Sequence, residues 1–357
     1  MARPGWHNEA HVLLPRPRRP MNTTREVWAT PEWRRQAEQW IDLVLEGFGV
    51  TRTGPSEQPR IRLWSTQLTV PTDHGTLWFK ENNLGQFAEA SILSLLGELA
   101  PDHVAAPLAI EPSRGWMLSA DHGATLDSLG SGDASVWARI TGDFADLQQI
   151  VAPHGERLFQ AGLVLMNPEV AANFVENQLL LHTGLPPEHP LHLSAEEADD
   201  VVGRLPAIHE AVEVLRGVAV PLSLDHNDLH ARNCFLPGTS ADPLRFFDFA
   251  DSYWAHPFST LLVPITRMRE QWRTTADDPR IAAVVDAYLE RWTGYAPLAE
   301  LRTAVEPALR LAGVHRYGSW LRLLVYADDD SMRAYAPAAL HYLRTLTDPV
   351  LGSGRTP

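Results

Sequence analysis

The sequence predicts an α+β protein of two lobes, a small strand-rich lobe followed by a larger, mostly helical one. Strand-like segments crowd the first third of the chain, and helical periodicity takes over from about residue 133. Such segregation of strands from helices marks an α+β arrangement rather than alternating βαβ units. A length of 357 residues also exceeds what one small core needs.

Residues 1–24 are expected to form a disordered tail. They are rich in Arg and Pro up to Pro20 and lack the apolar run of a secretory signal, and Met21 offers an alternative start. Residues 25–121 are assigned to the first lobe. A helix is expected from Pro31 to about Gly47, because Trp33, Ala37, Trp40, Ile41 and Val44 recur at helical spacing. Arg60 to Val70 reads as one extended segment, rich in β-branched and aromatic residues. A turn over Pro71–Gly75 then leads to a second strand, Thr76–Lys80, which completes a hairpin. The next helix runs from Gln86 to about Leu99. Glu89 lies three and four residues before Ile92 and Leu93, so it shares their inward stripe. A carboxylate facing inward needs a partner, and Lys80 just upstream is the candidate. Val104–Ile110 and Trp116–Ala120 read as two more strands.

Residues 122–357 are assigned to the second lobe. It is helical apart from a strand-like stretch between Leu222 and Asp251, and it closes with amphipathic helices over Val305–Leu324 and Ser331–Leu346. No apolar run is long enough to span a membrane. The net charge of −14 makes the chain a poor nucleic-acid binder and leaves room for a cationic small molecule, although such a charge serves solubility equally well. The lone cysteine, Cys234, rules out an internal disulfide and fits a cytoplasmic protein.

Of the 30 basic residues, 29 are Arg and one is Lys, at position 80. A compact ammonium kept at a single place suggests a local need that a forked guanidinium does not meet. Two motifs follow in the second lobe. His226-Asn227-Asp228-Leu229-His230-Ala231-Arg232-Asn233 has the H-x-D-x-x-x-x-N form of kinase catalytic loops. Arg245-Phe246-Phe247-Asp248-Phe249 is an apolar run that delivers a carboxylate, as the D-F-G element does. Each alone is weakly specific. The ordered set of strand Lys, inward Glu, loop Asp and Asn, and downstream Asp is far more so.

On these residues the chain resembles the aminoglycoside phosphotransferase family, the small-molecule branch of the protein-kinase-like fold. The likeness covers roughly residues 60–346, and the second histidine of the loop, His230, is typical of that branch. The resemblance implies a phosphotransferase that moves the γ-phosphate of ATP, or of GTP, to a hydroxyl of an aminoglycoside, amino sugar, amino alcohol or related metabolite. It implies Lys80 on the nucleotide phosphates, held by Glu89, and Asp228 as the group that accepts or orients the hydroxyl proton. It implies Mg2+ on Asn233 and Asp248, and a linker over Leu118–Gly123, with Ser119 and Asp121, against which the base sits. His230 meets phosphate or packs. The Gly-rich loop of protein kinases is missing before Lys80. Ser65 or Thr66 in the Trp64–Gln67 stretch is a candidate phosphate donor in its place.

Two other readings use the same residues. A kinase-like protein without catalysis would bind nucleotide and act through partners, but its mark would be the loss of Lys80, Asp228 or a metal ligand. A metal-dependent hydrolase would ligate zinc or manganese through His226, Asp228 and His230, alternating along a strand. That leaves Lys80, Glu89 and Asn233 without a task. Asp328, Asp329 and Asp330 are either amine-binding acids or an exposed loop. Trp254, Trp272, Trp292, Tyr317 and Trp320 are either ring-stacking groups or core. His226 and Asp251 read as braces of the loops they flank.

Overall fold

The computed structural model describes residues 24–130 and 132–351. Met21 and all of the expected tail except Thr24 lie outside them. Two short-looped helices open the described chain, α1 (Thr24–Trp28) and α2 (Pro31–Phe48). Thr30 caps α2 by accepting from the Trp33 amide, Pro31 sits in the first turn, and Gly49 ends the helix in the left-handed region. A five-stranded antiparallel sheet follows in the order β1-β2-β3-β5-β4: β1 (Glu57–Ile61), β2 (Ser65–Thr72), β3 (Gly75–Asn82), β4 (Ala109–Glu111) and β5 (Trp116–Ala120). Between β3 and β4 lies α3 (Glu89–Leu99), entered through a 3₁₀ turn at Leu84–Gln86.

Strand alternation divides this sheet between two duties. Leu68, Val70, Leu77, Phe79, Trp116 and Leu118 point to one face and bury against Trp28, Trp33, Ala37, Ile41 and Leu45 of α1 and α2. Gln67, Trp78, Lys80, Met117 and Ser119 point to the other face and line the cleft toward the second lobe.

Two sequence expectations need correction here. Arg60–Val70 is not one strand: the chain reverses at Arg62–Ser65, where the Arg62 amide donates to the Ser65 carbonyl. No Gly or Pro marks this turn, so its sequence reads as continuous. Val104–Ile110 is mostly irregular, with a single bridge from Val104 to Phe246 and a strand only from Ala109. That bridge ties the connection before β4 to the element that carries Asp248.

The second lobe is built from α4 (Ala134–Val151), α5 (Gly155–Gln160), α6 (Pro168–Thr183), α7 (Ala195–Gly217), α8 (Leu262–Trp272), α9 (Pro279–Glu290), α10 (Leu298–Leu324) and α11 (Asp329–Arg344). The expected strand-like stretch is a set of short strands: β6 (Val164–Leu165), β7 (Ser223–Asp225) and β10 (Tyr253–Ala255) in one ladder, β8 (Cys234–Phe235) and β9 (Arg245–Phe246) in another. Trp254, Trp292 and Tyr317 are core, and Trp320 stacks on Tyr335 at 5.5 Å. Asp328 caps α11 and pairs with Arg25 at 3.2 Å, so the acidic run is a helix start joined to α1. Among the described residues no helix is long and apolar enough to cross a membrane.

His256 is buried at the end of β10, where its Nδ1 accepts from the Phe258 amide. Burial holds its imidazole down at about 3, with the charge of His315 acting in the same direction. The unfolded chain therefore binds a proton that the fold refuses between about pH 6.5 and 3, and stability falls as pH drops through that window. Asn keeps the capping acceptor without titrating. On going from pH 7 to pH 5, the wild type should lose about 2 kcal/mol more than His256→Asn, read from urea unfolding at both pH values. Parallel losses would refute it.

Candidate active site

Two left-handed residues aim the chemistry. Asn227, with φ of 59°, and Asp248, with φ of 64°, are non-glycine residues in a sparsely populated region. Asn227 is held through its amide, its side-chain nitrogen and its carbonyl. Its amide donates to Asp225 Oδ1 (2.9 Å), its side chain to Ser319 Oγ (2.9 Å) and to the Asp251 carbonyl, and its carbonyl accepts from Arg316. The resulting turn sends neighbouring side chains apart. His226 is fully buried and meets the Phe247 carbonyl through Nε2 (3.1 Å), while the Asp228 side chain stays partly exposed.

Asn233 and Asp248 are joined by the small β8–β9 ladder. Cys234 pairs with Phe246, and the Phe247 amide donates to the Asn233 carbonyl at 3.2 Å. The Asn233 amide nitrogen donates to the Asp228 carbonyl at 2.9 Å, which leaves its Oδ1 available. Asp248 gives Oδ1 to Lys80 Nζ at 2.6 Å and keeps its other oxygen. Two such hard oxygens, one neutral and one anionic, fit a magnesium ion that draws its remaining ligands from phosphate and water.

Lys80 reaches this point from β3 and bridges Asp248 to Glu89, whose Oε2 lies 2.7 Å away. The inward glutamate of α3 thus meets the lysine expected for it. Burial alone would push the ammonium down; Asp248 and then Glu89 outweigh it and hold it charged. Asp228 carries two further partners, His230 Nε2 at 3.3 Å and Arg316 Nη1 at 3.3 Å. Burial would raise its carboxyl, but the hydrogen bond from His230 and the charge of Arg316 hold it well below the usual carboxylate range.

The cleft between the sheet and the second lobe holds a cavity of about 250 Å³. Trp78 and Met117 line it from the sheet. Phe235 and Phe247, stacked at 4.2 Å, line it from the other lobe, and Ser119 and Asp121 line the linker edge. Ser65 and Thr66 do not belong to it. Ser65 is buried opposite Asn82, and Thr66 is committed to the Arg60 carbonyl and to Gln58. A second cavity, of about 420 Å³, reaches the His226–Asn233 loop at His230. Trp137 forms part of its wall, and its charges are paired, Asp127 with Arg232 and Glu270 with Arg267.

A zinc-type cage is not seen. Among the described residues no group of three His, Cys, Asp or Glu converges on one point. The alternation proposed for His226, Asp228 and His230 fails at left-handed Asn227. Sequence reasoning missed Arg316, which lies 88 residues from Asp228, and the aromatic pair Phe235–Phe247. It also missed Trp78, whose signal was available: two residues before Lys80 on a strand is the same face. Asp251 receives Gln86 Nε2 at 2.6 Å and so braces its loop against the first lobe.

Several solved structures share this fold. A type I macrolide 2'-phosphotransferase aligns over 90% of this chain and 99% of its own, with 14% identity and a TM-score of 0.57. The fold is that of the small-molecule kinases related to the aminoglycoside phosphotransferases. An ethanolamine kinase of Plasmodium vivax covers 81% of each chain at 11% identity and a TM-score of 0.57. An amicoumacin kinase, solved with AMP-PNP and Ca2+, covers 90% of this chain and 98% of its own at 13% identity and 0.53. No protein-family model and no curated protein sequence matches the chain.

Arg316 also lies 3.7 Å from Asp251. Removing its cation strands two carboxylates that share little water. Arg316→Met should therefore cost about 3 kcal/mol at pH 7 by urea unfolding. A change below about 1 kcal/mol would mean that the clamp carries no weight.

Proposed function

We propose that the protein transfers the γ-phosphate of ATP to a hydroxyl of a small molecule. The observation that carries this reading is the Lys80–Asp248 pair in a cleft lined by aromatic side chains, with Asn233 and its partner Asp228 tied to the Asp248 segment through the β8–β9 ladder. In phosphoryl transfer the transition state is loose, so catalysis is mainly positioning and charge neutralisation. Lys80 takes the α- and β-phosphates, with Glu89 fixing its height. Asn233 and Asp248 hold magnesium, which when bound neutralises the charge on the phosphoryl oxygens. Asp228, kept ionised by Arg316 and oriented by His230, accepts the hydrogen bond of the attacking hydroxyl. Trp78 and the Phe235–Phe247 pair take the two faces of the base, with Ser119 and Asp121 beside it at the linker. The chain divides accordingly into a nucleotide lobe, residues 25–121, and an acceptor lobe, residues 122–357.

The acceptor enters through the cavity beside His230. Its paired charges and indole wall suit a small polar molecule with a ring or hydrocarbon face more than a highly charged one. A binding-only role is disfavoured because Lys80, Asp228, Asn233 and Asp248 are all present.

The direct test is transfer from γ-labelled ATP with magnesium into pools of aminoglycosides, macrolides, amino alcohols, sugars and nucleosides, with mass spectrometry of the product. Asp228→Ala should abolish labelling and leave nucleotide binding largely intact, whereas Asp248→Ala should weaken magnesium-dependent nucleotide binding as well. Turnover retained in Asp228→Ala would sink the mechanism. Trp78→Ala should weaken binding of ATP and of adenosine alike by roughly tenfold, the scale of one lost base–aromatic stack. Unchanged adenosine affinity would remove Trp78 from the base site.

A further inference from the structure

The roof of the cleft lacks the device that usually covers nucleotide phosphates in this kind of site. A glycine-rich turn brings bare backbone amides onto phosphate oxygens. Here the turn between β1 and β2 is Arg62-Leu63-Trp64-Ser65, without glycine. It is also pinned. Leu63 is buried, and its carbonyl accepts from Asn83 Nδ2 at 3.1 Å. The Trp64 carbonyl accepts from the Asn83 amide at 2.8 Å, and the Trp64 ring meets Tyr335 of α11 edge-on at 6.1 Å. This turn presents a fixed surface and cannot fold its backbone down onto a ligand.

Strand register shows what it presents instead. Arg60 pairs with Gln67, Gln67 with Lys80, and Lys80 with Met117. Paired residues of antiparallel strands point to the same face, so these four form one row across the sheet on its cleft side. The neighbouring row is Ile61, Thr66, Glu81 and Trp116, and Ile61 packs on the opposite face against α2. Arg60 therefore stands two strands from Lys80, at roughly 10 Å between backbones, on the face where the phosphates lie. Arg62 is two residues further along, at the start of the turn.

Charge points the same way. Around the reacting centre, Glu89, Asp228, Asp248 and Asp251 are set against Lys80 and Arg316. Both of those cations are already engaged by carboxylates, and a triphosphate adds more negative charge to a chain that is acidic overall. Arg60 and Arg62 are exposed, and among the described residues neither makes an ion pair; Arg62 only lies over the Trp64 ring at 5.5 Å. Partial burial, then the charge of Arg62, depresses the Arg60 guanidinium, while Asp248 acts in the opposite sense, so both charges are within electrostatic reach of it.

We propose that Arg60 and Arg62 bind the terminal phosphates of the nucleotide from above, replacing with two side chains the backbone amides of a glycine-rich loop. The inference rests on the kinase reading and adds a part to it. A guanidinium fork suits this role, because it spans the gap that a rigid turn leaves and meets two phosphate oxygens at once.

The test is calorimetric binding of MgATP, MgADP and adenosine to the full chain, wild type against Arg60→Ala, Arg62→Ala and the double variant. Both positions are exposed, and unchanged thermal unfolding would confirm intact folds. The double variant should lose roughly tenfold to hundredfold in MgATP affinity, less in MgADP affinity and nothing for adenosine. Wild-type MgATP affinity in the double variant, or an equal loss for adenosine, would overturn the inference while leaving the kinase reading intact. A wild type that binds none of the three would overturn both.

Discussion

A single ammonium between a buried carboxylate, Glu89, and a partly exposed one, Asp248, fixes the geometry of this protein. Lys80 lies within hydrogen-bond distance of both Glu89 and Asp248, and these come from three separate elements: β3, α3 and the loop after β9. Neither acid has another cation at this distance among the described residues, and burying an unpaired charge is costly. The contact therefore fixes where α3 sits against the sheet and how far the second lobe approaches it. It also stabilises Asp248 in a left-handed conformation that a non-glycine residue rarely adopts unaided. The width of the cleft and the placement of the Asp248 carboxylate follow from that one arrangement.

The opposite wall is set by α10. Its residues His315, Arg316 and Ser319 fall on one face by helical spacing, and each meets the end of β7 or the loop after it: His315 with Asp225 at 2.7 Å, Arg316 with Asp228, Ser319 with Asn227. The Asp225–His315 pair is almost entirely inaccessible. A helix that presents polar side chains inward in this way gains little from apolar burial along that stripe. What it gains is a set of hydrogen bonds that fix the loop after β7.

How much of this was legible in the sequence depends on which constraints are local. Asp228, Asn233 and Asp248 stand out as candidates because the motif fixes residue types and spacing within one loop and one strand, and the β8–β9 ladder sets Asn233 beside the element that carries Asp248. Lys80 and Glu89 were readable because one is the chain's sole lysine and the other a carboxylate on an apolar stripe. The hairpin turn at Arg62–Ser65 was not, because it is held by tertiary bonds from Asn83 rather than by turn residues of its own. Ser65 shares the cleft-side parity of Gln67 but is buried opposite Asn82, outside the cavity, which no local pattern announces. Arg316 was invisible because nothing in the sequence around it announces a partner 88 residues away.

The 3₁₀ turn before α3 carries one more implication. Gly85 packs on the backbone of α10 so closely that an added Cβ would fall 2.0 Å from the Arg322 carbonyl oxygen, and Asn83 beside it donates to the Leu323 carbonyl. The first lobe is thus riveted to the second at the far end of the helix that also clamps the catalytic loop. This contact is a fixed point about which any opening of the cleft would turn. Side-chain bulk at Gly85 would act as a doorstop, changing the rate at which the cleft opens and shuts although the residue lies in neither cavity.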